Sequence, residues 1–256
     1  AGYTVETFAS ASEYLAWQFG HGGVRWSRIR PKDIWKYAAR LQRKGLNPVS
    51  VAHYLTSLRQ FLRFVDLRGG CSSALAPAVP TVSTRGRSAT HESMSEAQRR
   101  KFLDSFNRKS ADGRRNYTMA LCMSDLGLRR IEIVRLRLGD IDWERNTLCV
   151  PPAKASRGRI LPLPRHVVAA LRTYVRTRPV TDHDSLFVGH AVLTGRPSSP
   201  QAVASAIFRA YRRCGFRKWT GTHLLRHSFA TRLCAHGANM KEIADLLGHR
   251  LLFTTD

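Results

Sequence analysis

The first third of the chain repeats apolar residues at intervals of three and four, the spacing of one face of an α-helix. Three segments show this spacing: residues 4–19, 31–44 and 48–65. The second and third segments begin with a proline, and Asn47 stands directly before Pro48, an order typical of a capped first helical turn. Gly69 and Gly70 end the third segment. We predict that residues 1–76 form a small helical domain.

The rest of the chain combines helical spacing with short apolar stretches that favour strands. Further helices are predicted at residues 93–106, 116–126, from Arg129 onward, and at residues 164–178, 200–214, 222–236 and 240–247. Residues 146–150 and 159–163 predict a hairpin around the turn 151–158, and residues 185–188 predict another short strand. The pattern indicates a mainly α protein with a small β-sheet, in which a mixed α/β domain follows the helical one.

Residues 77–90 break both patterns. This stretch holds Pro80, several Ser and Thr residues, and the basic run Arg85-Gly86-Arg87. A polar, proline-containing stretch without apolar periodicity is typical of an interdomain linker. We therefore predict a linker at residues 77–90 and a second domain at residues 91–256.

The charge balance indicates the partner. The sequence has 42 Lys+Arg against 18 Asp+Glu, a formal net charge of +24. Such an excess repels itself unless a polyanion neutralises it, so nucleic acid is the first expectation and an acidic membrane surface the alternative. No stretch approaches the ~20 apolar residues of a membrane span, and no signal peptide is recognised. Five scattered cysteines without a C-x-x-C pair indicate a reduced, cytoplasmic setting and no structural metal.

Candidate chemistry is concentrated in the stretch that begins at Gly221. His223 and Arg226 are three residues apart, so on a helix they leave the same face. A guanidinium offers a planar fork of donors and an imidazole can give or take a proton, a combination that suits phosphate oxygens. Thr222 is expected to cap the start of this helix, where free amides favour an anion.

Two other readings of these residues are open. A histidine and an arginine on one helix also fit an ordinary solvated face. His223 and His227 are four residues apart, as in the helices of zinc proteases, but Leu224 stands where that motif needs a glutamate.

Two motifs indicate a family. The run His223-Leu-Leu-Arg-His-Ser-Phe-Ala-Thr, followed by Leu-Leu-Gly-His249, resembles the second signature box of the tyrosine recombinases, the phage-integrase and Xer family. Leu-Gly-Leu-Arg129-Arg-Ile-Glu132 resembles the first box, and Glu132 is expected to orient an arginine. The boxes stand in the family's order with a basic hairpin between them. The resemblance implies a helical core-binding domain ahead of a mixed α/β catalytic domain.

The resemblance also implies a role for each residue at a matching position. Arg129 and Arg226 would hold the two non-bridging oxygens of a DNA phosphate, and His223 would act as general base or oxygen ligand. Lys154, in the hairpin, would protonate the departing 5′ oxygen, and His249 would donate a hydrogen bond to the phosphate. The arginines would supply the charge that a metal supplies elsewhere, so no cofactor and no metal is expected.

The nucleophile departs from the family pattern. The tyrosine normally follows the Leu-Gly-His element after a Thr-Thr-containing turn, but here Thr254-Thr255-Asp256 occupies that turn and position 258 lies beyond the sequence. None of the seven tyrosines stands within a few residues of His249. We interpret the chain as a recombinase sequence cut short before its nucleophile and C-terminal tail. A natural relative without catalysis is the alternative.

Further basic residues are expected to contact the phosphates of duplex DNA, although each also fits a solvated face. These residues are Arg43, Lys44, Arg59, Arg85, Arg87, Arg157 and Arg159.

The sequence thus predicts a site-specific recombinase that cleaves and rejoins double-stranded DNA through a 3′-phosphotyrosine intermediate. The full-length protein is expected to act as a homotetramer on a specific DNA site, in the bacterial cytoplasm and associated with the nucleoid. A DNA-binding regulator without catalysis and a type IB topoisomerase are the alternatives. The short helical domain ahead of the catalytic domain favours a recombinase over a topoisomerase.

Overall fold

The chain divides into two compact units, residues 1–89 and 90–256. The computed structural model describes residues 5–20, 25–83, 93–152, 158–190, 194–219 and 221–248. Among these residues, no helix is both long and apolar enough to span a bilayer. Val79, near the start of the predicted linker, is buried in the core of the first unit, while residues 84–90 lie outside the described ranges. The domain bounds stay a prediction.

The described part of the first unit is helical. Its elements are α1 (Val5–Phe19), a 3-10 turn (Trp26–Arg28), α2 (Pro31–Arg43), α3 (Pro48–Asp66) and the short α4 (Leu75–Ala78). The predicted start of α3 is confirmed, since Oδ1 of Asn47 accepts a hydrogen bond from the amide of Val49 at 3.0 Å. A proline at the first helical position needs no amide partner, which is why both α2 and α3 begin there.

Aromatic rings and hydrogen bonds hold this unit together. The rings of Tyr14 and Tyr37 meet edge to face with centroids 5.1 Å apart, and both side chains are fully buried. The chain around α4 is tied to the longer helices: Nε1 of Trp35 donates to the carbonyl of Ala78 at 2.9 Å, and Nη2 of Arg59 donates to the carbonyl of Val79 at 2.8 Å. The segment after α3 therefore packs back onto α2 and α3.

The described part of the second unit combines seven helices with one sheet. The helices are α5 (Glu96–Asp104), α6 (Ala111–Asp125), α7 (Arg130–Arg135), α8 (Arg165–Val175), α9 (Pro200–Arg213), α10 (His223–Ala235) and α11 (Met240–Leu247). The antiparallel sheet has the order β1 (Ile141–Asp142), β2 (Thr147–Val150) and β3 (Arg159–Pro162). This architecture confirms the predicted fold class, mainly α with a small β-sheet.

Helix α6 is the centre of the second unit. Five consecutive side chains, from Met119 to Met123, are at most 1% exposed, and the helix contacts α8, α9 and α10. A helical segment that is buried on all sides lies in a core. Two predictions differ from the structure here. The helix begins at Ala111 rather than at residue 116, and residues 185–188 form isolated bridges with Arg137 and Pro197 rather than a strand.

Gly127 lets three helices approach one another. It follows the end of α6 with a φ of +64°, a conformation that glycine adopts without a steric penalty. A Cβ atom there would lie 2.6 Å from Cδ1 of Phe229 on α10 and 2.7 Å from Cδ2 of Leu247 on α11. The close contact of these helices with the turn before Arg129 therefore requires the absence of a side chain.

We expect Gly127→Ala to lower the free energy of unfolding of the second unit by about 2–4 kcal/mol, because strain at positive φ adds to steric overlap. Urea unfolding measures this loss. Gly215→Ala is the matched control: its φ is +78°, and no described heavy atom lies within 4 Å of the added Cβ. It should cost only the backbone term, about 1–2 kcal/mol. Equal losses in the two variants would contradict the contact argument.

Candidate active site

Arg129, His223 and Arg226, predicted from sequence, line one pocket. Arg129 stands at the N-terminus of α7, and the other two side chains come from the first turn of α10. Helix α11 closes the pocket with apolar side chains, among them Met240 and Leu247. Residues that lie far apart in sequence thus meet at the junction of three helix ends.

Arg226 is buried without a carboxylate partner among the described residues. It is 7% exposed, and its Nη1 and Nη2 atoms donate to the carbonyls of Gly127 and Leu247, each at 2.6 Å. Burial and the neighbouring guanidinium of Arg129 lower the pKa of Arg226 to about 10. The group remains charged at neutral pH, so a full positive charge faces the pocket.

Arg129 is oriented by Glu132, as the sequence predicted. Its backbone amide donates to Oε2 of Glu132 at 2.8 Å, and its Nη1 donates to Oε1 at 3.1 Å. The same Nη1 reaches the carbonyl of Leu247 at 3.5 Å. Among the described residues, Nε and Nη2 of Arg129 have no hydrogen-bond partner, and the side chain is 22% exposed. These donors are therefore available to a ligand in the pocket.

The carboxylate of Glu132 is shared by two arginines. Nη1 and Nη2 of Arg159 donate to its two oxygens at 3.1 and 3.0 Å. Glu132 is 1% exposed. Burial raises the pKa of its carboxyl group, but the bonds from Arg159 and from the amide of Arg129 outweigh burial and hold the pKa below its ordinary value. Arg226 adds a third guanidinium that bonds only to carbonyls, so the pocket carries excess positive charge.

His223 is held in its neutral form. The protein packed around its ring, together with the cations of Arg226 and Arg129, lowers its pKa below the ordinary value. A neutral imidazole can accept a proton at pH 7. The predicted cap by Thr222 is wrong, because Thr222 has helical backbone angles and its side chain makes no capping hydrogen bond. The α10 amides are thus not covered by that hydroxyl.

Several predicted site residues lie outside the described ranges. They are Arg85, Arg87, Lys154, Arg157 and His249. Their roles stay predictions from the resemblance and the charge pattern.

Two of the residues predicted to contact DNA form hydrogen bonds within the protein. The Arg59 guanidinium is half-buried and bonds to Val79 and to Oγ1 of Thr81, the latter at 3.0 Å. The Arg159 side chain is only 7% exposed and is occupied by Glu132. Both guanidinium groups thus have hydrogen-bond partners within the protein, and that of Arg159 is buried.

The other two described candidates lie at the surface. Lys44 is paired with Glu13 at 2.6 Å. Arg43 belongs to a row of exposed cations on α2, which we call the α2 cation row: Lys32, Lys36, Arg40 and Arg43. This row lies opposite the face buried by Ile34 and Leu41. Lys36 was missed from sequence, although its spacing of four from both Lys32 and Arg40 is the signal that finds it.

Comparison with known proteins gives the family. The phage integrase family matches residues 92–256. A protein of Sinorhizobium fredii named as an integrase/recombinase, y4rA, is 32% identical over 246 residues, which are 95% of this chain and 59% of that protein. The tyrosine recombinase XerA of Thermococcus onnurineus is 27% identical over 254 residues, 99% of this chain and 84% of the relative. The chain thus spans only part of some relatives, 59% and 47% of the two from S. fredii.

Solved structures share the fold. The site-specific recombinase XerH, bound to palindromic difH substrate, superposes with a TM-score of 0.75 at 20% identity over 96% of this chain and 73% of XerH. The Tn1549 transposon integrase, in complex with transposon right end DNA, gives 0.72 at 19% identity over 98% and 88% of the two chains. With the two signature boxes brought together around one pocket, the chain belongs to the phage integrase family, that of the tyrosine recombinases.

Proposed function

We propose that this chain is the DNA-binding and catalytic part of a site-specific recombinase that cleaves and rejoins duplex DNA through a 3′-phosphotyrosine intermediate. The observation that supports this proposal most directly is the environment of Arg226. Its charge is buried yet bonded only to neutral carbonyls, with Arg129 beside it in the same pocket. Such an arrangement favours an anion with several acceptor oxygens, and a DNA phosphodiester is such an anion.

In this mechanism each residue acts on one part of the phosphate. Arg226 and Arg129 hold the non-bridging oxygens and stabilise the charge that grows on them in the transition state. His223, neutral at pH 7, accepts the proton of the attacking hydroxyl. Lys154 protonates the departing 5′ oxygen, and His249 donates a hydrogen bond to the phosphate. The nucleophile in this proposal is a tyrosine at position 258.

The proposed partner is double-stranded DNA that carries a specific recombination site. The structural neighbours XerH and the Tn1549 integrase were solved in complex with DNA. The α2 cation row gives this chain a surface that suits phosphates. We propose that the full-length protein assembles as a homotetramer on that site, in the bacterial cytoplasm and at the nucleoid.

Binding should depend steeply on salt, because phosphate contacts release counterions. For about 6–10 contacts, the affinity for a duplex should fall by roughly 10³- to 10⁵-fold between 50 and 200 mM salt. Removing two cations of the α2 cation row, Lys36→Ala with Arg40→Ala, should reduce the logarithmic salt slope by about 2. Lys109→Ala with Arg145→Ala, exposed cations of the second unit, is the charge-matched control. An unchanged slope for the α2 pair would show that α2 is not a contact surface, and an equal fall for both pairs would show that the effect is not specific to α2.

Arg129 and Arg226, which we call the oxygen clamp, should be required whatever the leaving group. In the chain extended through a tyrosine at position 258 (the extended chain), Arg226→Ala should slow covalent cleavage of a nicked suicide duplex by roughly 10²- to 10³-fold. A 5′-thiol leaving group should not restore the rate, since sulfur needs no proton but the oxygens still need charge. All reactions contain EDTA. The control is Arg209→Ala, which removes an exposed arginine of α9. Rescue of Arg226→Ala by the thiol substrate, or an extended chain that is inactive in EDTA, would overturn these roles.

The pH dependence of the cleavage rate should follow the protonation of His223. The pKa of His223 lies below the ordinary histidine value of about 6.5. The imidazole is therefore neutral at pH 7. The cleavage rate of the extended chain should therefore be level near pH 7 and fall only below about pH 6.5. His223→Gln should remove this acid limb, and His236→Gln, at the exposed end of α10, should keep it. An acid limb that persists in His223→Gln would assign the base to another group.

A further inference from the structure

Arg159 joins three elements of the second unit through one side chain. It is the first residue of β3, and its Nη1 and Nη2 atoms form a two-pronged ion pair with Glu132 of α7. Its Nε donates to the carbonyl of Leu246 near the end of α11 at 2.6 Å. All three guanidinium nitrogens are therefore engaged. A planar fork with fixed donors can hold such a junction, which the single ammonium of a lysine cannot reproduce.

The sheet depends on this junction for its position. β3 is an edge strand, paired with β2 alone. Among the described residues, the bonds of Arg159 are the only side-chain hydrogen bonds that link β2 or β3 to a helix. Apolar contacts of Leu148 and Leu161 also bury one face of the sheet, but such contacts are non-directional. Arg159 thus supplies the directional restraint at the base of the β2–β3 connection.

That connection includes Lys154, five residues before Arg159 in the sequence. We propose that Arg159 is a positioning residue, which fixes the base of the hairpin so that its acid, Lys154, meets the 5′ leaving oxygen. This inference rests on the proposed function. It replaces the phosphate contact expected for Arg159 from sequence with a role exerted through another residue.

The oxygen clamp does not depend on Arg159 in the same way. Arg129 keeps its own bonds to Glu132, and Arg226 is anchored on Gly127 and Leu247. Loss of Arg159 therefore releases the hairpin while the clamp retains its anchors. The predicted defect is in protonation of the leaving group, and a substrate that needs no protonation separates this defect from a general loss of structure.

The test compares two variants of the extended chain in single-turnover cleavage. Arg159→Met removes the junction; Arg145→Met, an 85% exposed arginine at the β1–β2 turn of the same sheet, removes the same charge without it. On the ordinary phosphodiester, Arg159→Met should cleave roughly 10²-fold more slowly than the parent, because a small misplacement of the acid is costly. Arg145→Met should stay within about twofold of the parent, and both variants should bind DNA equally at matched salt.

The 5′-thiol substrate gives the decisive readout. The deficit of Arg159→Met should shrink to less than about threefold on this substrate, as it should for Lys154→Ala, because a thiolate leaves without a proton. A deficit of equal size on both substrates would overturn the proposal, since the damage would then extend to the clamp. Cleavage by Arg159→Met at the rate of Arg145→Met would overturn it as well. A fall in DNA affinity with unchanged cleavage of the bound complex would instead assign Arg159 to phosphate contact.

Folding is controlled separately. Arg159→Lys retains the charge but not the fork, so it should fold where Arg159→Met does not and show a smaller deficit with the same thiol rescue. Thermal unfolding of each variant reports its folded state. If the parent extended chain forms no covalent adduct on either substrate, the proposed function fails; if the parent cleaves and Arg159 variants are not rescued, only the present inference fails.

Discussion

The second unit is organised around one buried carboxylate. Glu132 is almost inaccessible to water, and an ionised carboxylate in such a place is stable only when it is paired and hydrogen-bonded. Two arginines from separate elements meet that requirement, one from the start of α7 and one from β3. Because each must reach the same pair of oxygens, the carboxylate fixes their distance from each other. The placement of Arg129 in the pocket follows from this constraint.

Arg226 is held in a different way, by the ends of helices. Its two carbonyl partners, Gly127 and Leu247, lie just past the end of α6 and at the end of α11. Carbonyls at a helix C-terminus lack partners within the helix and carry the negative end of its dipole. They accept hydrogen bonds from the guanidinium without neutralising its charge. The arginine is thus fixed in position while its full charge remains available, which a pairing with a carboxylate would have prevented.

Much of the architecture follows from local chemistry, and the parts that do not are tertiary. The starts of α2, α3 and α9 could be predicted because a proline occupies the first helical position of each. The start of α6 was missed although Ser110 caps it, its Oγ accepting a hydrogen bond from the amide of Gly113. Arg114 and Arg115 interrupt the apolar spacing in the sequence, and their side chains bond to the carbonyls of Lys109 and Val188. The signature boxes indicated Arg129, His223 and Arg226, yet sequence spacing could not show which basic residues face inward.

Arg159 illustrates the point. Strand periodicity from the buried Leu161 places Arg159 on the inner face and Ile160, 69% exposed, on the outer one. The polarity of the two side chains alone would place Ile160 inside and Arg159 outside. The buried charge of Arg159 is stable only because it pairs with Glu132, which lies 27 positions away in the sequence. No local pattern reports such a partner.

Because guanidinium groups outnumber carboxylates around the pocket, ligand binding is linked to folding. The pocket holds like charges close together in a medium less polarisable than water, which opposes the compact state. A ligand that binds only the folded form stabilises it by about 2.7 kcal/mol at a concentration of 100 times its Kd. For a domain of ordinary, marginal stability, that is a large fraction of the total. A ligand of such a pocket therefore also stabilises the fold, and the clustered positive charge limits the stability of the unliganded chain.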